Sequence, residues 1–224
     1  MKKIKAFGFE VLLLKRLKQK TLRLMVSKTG EVKLTMPYFC SEKKALEFLK
    51  EHQNWALEQS KKHHLKVFQD KDEVLILGKI YKIIHDEKQK TSVIVKDNML
   101  YIGGEKEFLH RRLCNFAKKE LLKYISEKSF LFSKVIDRKI NKITLKDMTS
   151  RWGSCSSNGN LNFCFKLVFA PLFVVDYLVA HEVAHLKEMN HSDAFWKTVA
   201  LMDTEQANAQ SWLRKNGSDL MRIK

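Results

Sequence analysis

Residues 171–197 read PLFVVDYLVAHEVAHLKEMNHSDAFWK, an apolar run that leads into three histidines. Two of them, His181 and His185, are four residues apart, and Pro171 stands where a helix would begin, at its first position. On a helix, residues i and i+4 lie on the same face about one turn apart. Their imidazole nitrogens can therefore bind one metal ion at about 2.0–2.1 Å. The stretch predicts a helix that carries a metal site.

Glu182 directly follows the first of these histidines and would lie beside the metal rather than on it. From that position its carboxylate can take a proton from a water whose pKa the metal lowers toward ~7. The pattern H-E-x-x-H is typical of metal-dependent hydrolases for this reason. The alternative is a packed helix whose histidines are ordinary polar surface.

A catalytic zinc ion normally has three protein ligands and a water, so a third ligand is needed. His191 is the candidate, although a continued helix would rotate it about 120° away from the metal face. We therefore expect the helix to end between Glu188 and Asn190, with Asn190 in the left-handed conformation. Asp193 and Glu205 are the alternatives, because either could complete a site of two histidines and a carboxylate.

A second motif, RWGSC at residues 151–155, precedes an Asn158-Gly159 pair that is typical of a β-hairpin turn. The hairpin would lead into the metal-binding helix and bring this motif to the edge of the cleft. Arg151 could then hold a substrate carboxylate or phosphate, or stabilise a developing oxyanion. Trp152 and Ser154 are predicted to bind substrate beside it. The alternative is that Trp152 packs the two halves of the chain together and Arg151 pairs with a structural acid.

The remaining sequence predicts an α+β fold. Its segments are a hairpin over residues 22–36, a helix over 41–60, a β unit over 73–102 and a helix over 108–125. No internal repeat is evident. We expect a basic, β-rich N-terminal part with a helix over residues 1–103, followed by a helical metal-binding part over residues 104–224. That second part is entered through the hairpin over 152–167, and the two parts could also form one continuous domain.

Positive charge is concentrated in the first two thirds of the chain, which has a net charge of +17. Residues 1–150 contain 34 Lys and Arg against 18 Asp and Glu, whereas residues 151–224 contain 8 against 7. Such a field attracts polyanions, or it simply keeps the protein soluble. A nucleotide or nucleic acid is therefore a candidate partner of the basic part.

The amino-acid composition also indicates the cellular compartment in which the protein is expected. Four cysteines without a C-x-x-C pair are too few for a disulfide scaffold, which favours free thiols in a reducing cytoplasm. No apolar run of about 18 residues exists, so no membrane span and no membrane partner are predicted. The N-terminal sequence MKKIKAFGFEVLLLKR is interrupted by Glu10 and predicts a first strand rather than a leader peptide.

Two stretches together resemble the YgjP-like metallopeptidase family of bacteria: RWGSCSSNGNLNFCFKLVFAP at 151–171 and VAHEVAHLKEMNHSDAFW at 179–196. The ending H-E-x-x-H-x5-H-x3-F-W also resembles the WLM family and the SprT-like proteins, which are linked to proteolysis of DNA-bound proteins. The resemblance implies a zincin-type site with one Zn²⁺ per chain held by His181, His185 and His191, and Glu182 as the catalytic base. Glu188 stands where the related metzincin pattern has Gly, so the turn after the helix must differ.

These observations predict a zinc-dependent hydrolase, and within that class a metallopeptidase acting on peptides or proteins. A first alternative keeps the metal centre but gives it a polyanionic substrate, such as a nucleotide phosphoanhydride, or a protein bound to nucleic acid. A second alternative is a non-catalytic nucleic-acid-binding protein with a structural zinc. Structural zinc sites are usually closed by four protein ligands, and only three candidates stand out here.

Overall fold

The computed structural model describes residues 2–27, 30–63 and 65–224. Its contacts divide the chain into two compact units. The first unit comprises Met1–Lys66 with Arg222–Lys224, and the second comprises Val67–Met221. The expected boundary after residue 103 thus falls inside the second unit.

The first unit is a four-stranded sheet with two helices. Its elements are β1 (Lys2–Ala6), β2 (Phe9–Arg16), β3 (Arg23–Val26), β4 (Val32–Pro37), α1 (Glu42–Glu51) and α2 (Gln53–His63). The strand order is β1-β2-β4-β3, with β2 parallel to β4 and the outer pairs antiparallel. Alternate residues of β2 and β4, with apolar residues of both helices, form the core of this unit.

The predicted hairpin over residues 22–36 is confirmed as β3 and β4, which pair Leu24 with Leu34. Its turn residues Lys28 and Thr29 lie outside the described part of the chain. The single helix expected over residues 41–60 is instead two helices. The chain leaves the helical conformation at His52, whose φ is −107° and ψ is 12°.

The second unit begins with a sheet of its own. The strands are β5 (Glu73–Ile76), β6 (Lys79–Asp86), β7 (Val93–Lys96) and β8 (Met99–Gly103), in the order β5-β6-β8-β7. The central pair is again parallel and the outer pairs antiparallel. This strand order repeats that of β1–β4, so the structure contains a repeated topology that the sequence did not reveal.

This sheet belongs to the same compact unit as the helices because the turn between β5 and β6 packs against the helical segments. The backbone N–H of Leu77 donates to the Val168 carbonyl at 2.8 Å. A Cβ on Gly78 would lie 3.2 Å from Cβ of Leu172. The β unit that we expected to belong to the N-terminal part is therefore part of the second compact unit.

The rest of the second unit holds a three-stranded sheet and four helices. Its elements are α3 (Leu109–Val135), β9 (Lys142–Lys146), β10 (Gly153–Cys155), β11 (Asn160–Cys164), α4 (Leu172–Ala184), α5 (Asp193–Ala200) and α6 (Gln206–Met221). The strand order is β10-β11-β9, which leaves β10 at one edge. The Asn158-Gly159 turn joins β10 to β11 as predicted, with Gly159 at φ 72°. The second arm ends at Cys164, because Phe165–Phe169 forms a short 3-10 helix.

The α+β fold class is confirmed, with β-rich segments first and helices towards the C-terminus. Within the described residues, no helix combines the length and the apolar character needed to cross a membrane.

Candidate metal centre

Helix α4 is apolar on nearly every side, and nine of its residues are buried. A helix that is hydrophobic all round belongs inside a packed structure. Pro171 is the residue just before the helix, one position earlier than predicted, and its carbonyl accepts the N–H of Val174 at 3.0 Å. The helix thereby places His181 and Glu182 in its last turn, and His185 is the residue that ends it.

The three histidines converge. The ring centroids of His181 and His185 are 5.0 Å apart, and the ring of His191 lies 5.0 and 4.9 Å from them. Nε2 of His181 and Nε2 of His191 are separated by 3.1 Å. One nitrogen from each of the three residues lies within 4.8 Å of the others.

This donor set fits a zinc ion. Tetrahedral coordination at about 2.0–2.1 Å places ligand nitrogens roughly 3.3 Å apart, close to the separation of His181 and His191. Nδ1 of His185 lies 2.9 Å from the Glu188 carbonyl, which is the contact of a ring that donates from Nδ1 and keeps a lone pair on Nε2. Nδ1 of His181 is buried and has no hydrogen-bond partner among the described atoms.

Electrostatics keep two of these rings neutral, as metal ligation requires. Burial, together with the neighbouring His185 and His191, lowers the pKa of His181 to about 4. Burial also lowers the pKa of His185, against the opposing effect of the Glu188 carbonyl. Both rings therefore carry free lone pairs at neutral pH.

The turn that follows α4 differs from our prediction. The helix ends at Ala184 rather than near Glu188, and Asn190 is not in the left-handed conformation. Instead the backbone N–H groups of Leu186 and Lys187 bond the carbonyls three residues earlier, at 2.9 and 3.0 Å. Because this tight turn starts so early, the following residues carry the chain back to the histidines without a left-handed residue.

Asp193 and Glu205, the alternative candidates for the third ligand, lie outside the histidine cluster. Among the His, Cys, Asp and Glu side chains of the described ranges, the group that could hold a metal is His181, His185 and His191. Asp193 is exposed at the start of α5. Glu205 is exposed just before α6 and accepts a hydrogen bond from Asn208 Nδ2 at 2.8 Å.

Glu182 lies beside the histidines and is only 5% exposed. Burial raises the pKa of its carboxyl to about 8, although the positive charge of Arg151 acts in the opposite direction. One oxygen, Oε2, has no hydrogen-bond partner among the described atoms. The carboxyl therefore has a buried acceptor oxygen that no described group uses.

A cleft of ≈ 320 Å³ opens over these residues. It is lined by Arg151, Gly153, Ser154, Cys155, His181, Glu182, His185, Met189 and His191. Two of the three predicted substrate-binding residues, Arg151 and Ser154, are thus in the cleft. Trp152 is not among the lining residues, because its ring lies against α6, where a Cβ on Gly217 would be 3.2 Å from Trp152 Cζ2.

Sequence reasoning did not single out Gly153 or Met189 as part of the cleft. The sequence did contain a signal for Gly153, because a glycine inside a strand often marks a position where another group approaches the backbone closely. Cys155 also lines the cleft, but burial and the nearby Glu182 raise its pKa to about 11. The raised pKa favours the protonated thiol at neutral pH, which disfavours a nucleophilic role.

Polar contacts outside the cleft hold α4 in place. Tyr124 Oη on α3 donates to Asp176 Oδ1 at 2.5 Å, and Lys128 Nζ donates to Asp176 Oδ2 at 2.9 Å. On α6, Gln210 Nε2 donates to Tyr177 Oη at 2.9 Å. These contacts connect the metal-bearing helix to α3 and to α6.

The family of this chain follows from a match to a known domain. The family model described as YgjP-like, metallopeptidase domain, matches residues 20–216. No curated protein sequence matches the chain. The crystal structure of the metallopeptidase zymogen of Pyrococcus abyssi abylysin is similar over 44% of this chain and 97% of that chain, with 16% sequence identity and a TM-score of 0.38. The family match spans most of the sequence, and the chain therefore belongs to the YgjP-like family and carries its metallopeptidase domain.

Proposed function

We propose that this protein is a zinc-dependent peptidase with one Zn²⁺ per chain. His181, His185 and His191 would hold the ion, and Glu182 would be the catalytic base. The observation that carries the proposal is the convergence of three histidine nitrogens beside a buried carboxyl that has a free acceptor oxygen. A zinc ion held there would polarise the scissile carbonyl and lower the pKa of the attacking water.

The side chains of the cleft then have distinct tasks. Glu182 takes the proton of the attacking water and passes it to the nitrogen of the leaving amine. The Glu188 carbonyl orients the ring of His185 through Nδ1. Arg151, exposed at the lip, binds a substrate carboxylate or the oxyanion that develops during attack.

Ser154 and Trp152 have different parts in this proposal. Ser154 lines the cleft, and its Oγ accepts a hydrogen bond from Asn162 Nδ2 at 3.2 Å, which leaves its own proton available to substrate. Trp152 packs against α6 at Gly217, so we propose that it supports the motif rather than contacts substrate.

The test compares the wild-type chain with Glu182→Gln, using metal analysis and hydrolysis of casein and peptide mixtures. We expect one zinc per chain in both proteins and a loss of at least ~10²-fold in hydrolysis for the variant. Glu205→Gln, at an exposed glutamate, is the matched control and should behave as wild type. Absence of stoichiometric zinc after repletion, or equal hydrolysis by Glu182→Gln, contradicts the proposal.

A second candidate function keeps the same centre and changes the substrate to a polyanion or to a protein bound to nucleic acid. It is favoured by the charge of residues 1–66, which contain 16 Lys and Arg against 6 Asp and Glu. Hydrolysis of casein, of casein with added DNA, and of nucleoside triphosphates at two salt concentrations separates the candidates. Salt-sensitive cleavage of the triphosphate without casein cleavage would favour the second.

A structural role for the zinc is less well supported. Structural zinc sites usually have four protein ligands, whereas the cluster in the described part of the chain has three. None of the four cysteines forms a disulfide, and a cytoplasmic location stays a prediction.

A further inference from the structure

Gly153 lies where the edge strand β10 meets the metal-bearing helix α4. It pairs with Phe163 of β11, and residues directly opposite each other in an antiparallel pair project to the same face. Phe163 is fully buried. Gly153 therefore presents bare backbone on a face where its neighbour places a large ring.

The space left by the missing side chain is taken by Glu182. A Cβ built on Gly153 would lie 2.6 Å from both Cγ and Cδ of Glu182, and would also overlap Oε1. Carbon atoms in contact are normally about 3.5–4.0 Å apart. Even alanine at position 153 therefore requires Glu182 to move.

Backbone conformation does not explain the glycine. Five other glycines of the described chain have positive φ values, but Gly153 does not, so its conformation is open to any L-residue. The steric requirement comes from the Glu182 side chain instead.

The strand itself has little freedom to move away from Glu182. On either side of Gly153, the Trp152 carbonyl accepts the N–H of Cys164 at 2.8 Å and the N–H of Ser156 donates to Asn160 at 3.0 Å. A further side-chain ladder ties the three strands together: Thr144 Oγ1 donates to Asn162 Oδ1 at 2.7 Å, and Asn162 Nδ2 donates to Ser154 Oγ at 3.2 Å. The side chain of Glu182, rather than β10, is the part that must yield.

We propose that Gly153 is a positioning residue that sets the direction of the Glu182 carboxylate by packing bare backbone against its side chain. Because Oε2 has no hydrogen-bond partner among the described atoms, this packing supplies an orienting contact that a hydrogen bond would otherwise provide. The inference rests on the proposed role of Glu182 as the base.

A double-mutant cycle tests the inference, with Gly153→Ala, Glu182→Ala and the double variant of the full chain. Gly153→Ala should keep its zinc and its KM but lose about 100-fold in kcat, the effect of misplacing a reacting group by about 1 Å. The metal-free Gly153→Ala protein should also have a lower Tm than wild type. In the Glu182→Ala background the added methyl enters vacated space, so the Tm should be unchanged or raised.

Gly217→Ala is the matched control, because its nearest neighbour is Trp152 rather than Glu182. Its effect on Tm should be the same with and without Glu182→Ala. An equal loss of Tm from Gly153→Ala in both backgrounds, or an unchanged kcat, overturns the inference. The Tm cycle needs neither zinc nor substrate, so failure of the peptidase proposal is recognised separately, by missing zinc or missing hydrolysis in wild type.

Discussion

Glu182 combines two properties that oppose each other. Its carboxyl must be close to the histidines to act as a base, yet only 5% of the residue is exposed to solvent. A carboxylate without hydrogen bonds in such surroundings costs folding free energy when it is ionised. The raised pKa of about 8 expresses that cost, because the folded state favours the protonated form.

The first prediction concerns the pH dependence of stability in the metal-free protein. Between its usual pKa of 4.5 and the folded value of about 8, Glu182 holds its proton in the folded state and loses it on unfolding. The contribution of Glu182 to the free energy of unfolding is therefore fully present below pH 4.5 and falls as pH rises, by at most about 1.4 kcal/mol per pH unit. Glu182→Gln removes this dependence.

Urea unfolding in the presence of a chelator measures this difference. The free energy of unfolding of Glu182→Gln relative to wild type should rise from pH 5 to pH 8. The comparison cancels the opposite trend of His181, whose lowered pKa makes the folded state less stable as pH falls. A difference that is constant over this range contradicts the prediction.

The second prediction concerns the third ligand. His191 is exposed and lies in the loop between α4 and α5, so it contributes little to the core. His191→Ala should lower zinc affinity by orders of magnitude and leave thermal unfolding of the metal-free protein nearly unchanged. Competition with a zinc chelator measures the affinity.

Three further alanine variants are the controls for this prediction. Asp193→Ala and Glu205→Ala should keep near-wild-type affinity, because neither side chain belongs to the histidine cluster. Asn190→Ala should do the same, because Asn190 does not need the left-handed conformation. Full zinc occupancy in His191→Ala combined with loss in Glu205→Ala would favour a site of two histidines and a glutamate.

At the scale of elements, the spacing of the site was predictable but the route of the chain was not. His181 and His185 could be placed because the helical period puts residues i and i+4 on the same face, and Glu182 follows one position further round the helix. The predicted end of α4 was wrong. The 3-10 hydrogen bonds donated by Leu186 and Lys187 involve only the backbone, so the pattern of side chains does not indicate them. The direction of Trp152 was equally hidden, since alternation along a strand does not say which face meets the cleft.

Strand pairing, too, was predictable only in part. A turn with strong local chemistry was predictable, as at Asn158-Gly159, where Gly159 has a positive φ. The shared order of β1–β4 and β5–β8 was not, because it depends on parallel pairing between strands that are distant in sequence. Nonlocal pairing of that kind has no short sequence signature.

The third prediction concerns the connection between α3 and α4. Asp176 accepts from both Tyr124 and Lys128, and the side chains of the Lys128–Asp176 ion pair are only 28% and 21% exposed. Asp176→Ala leaves the hydroxyl and the ammonium without their acceptor, so the free energy of unfolding should fall by about 1–3 kcal/mol. Chemical denaturation measures the loss.

The matched control is the Lys33–Glu31 ion pair, whose side chains are 37% and 42% exposed. Glu31→Ala should change the free energy of unfolding by less than about 1 kcal/mol, because solvent screens exposed pairs. Equal effects at the two sites would show that the Asp176 contacts do not anchor α4.

At the scale of the whole molecule, charge and chemistry are distributed differently along the chain. The candidate metal centre lies entirely within Val67–Met221. The first 66 residues contain 16 Lys and Arg against 6 Asp and Glu, whereas residues 67–224 contain 26 against 19. The basic excess per residue is therefore greater in the first 66 residues, which do not contain His181, His185 or His191.

The last prediction is that the excess of basic residues in the first 66 residues binds polyanions independently of the metal. Between Val11 and Gly30 the sequence has six basic residues and no acidic one, and Lys15, Lys18 and Lys20 are exposed. Changing these three lysines to Gln should weaken binding to heparin or single-stranded DNA and lessen its salt dependence, because each lost phosphate contact lowers the slope of log K against log salt by about 0.7–0.9. The matched control changes Lys119, Lys197 and Lys215, which are exposed in the second unit, and removes the same net charge. Zinc removal should leave the affinity unchanged. If both triple variants lose affinity equally, net charge rather than this segment explains the binding. If wild type binds neither heparin nor single-stranded DNA, the prediction is wrong and the nucleic-acid candidate loses its support.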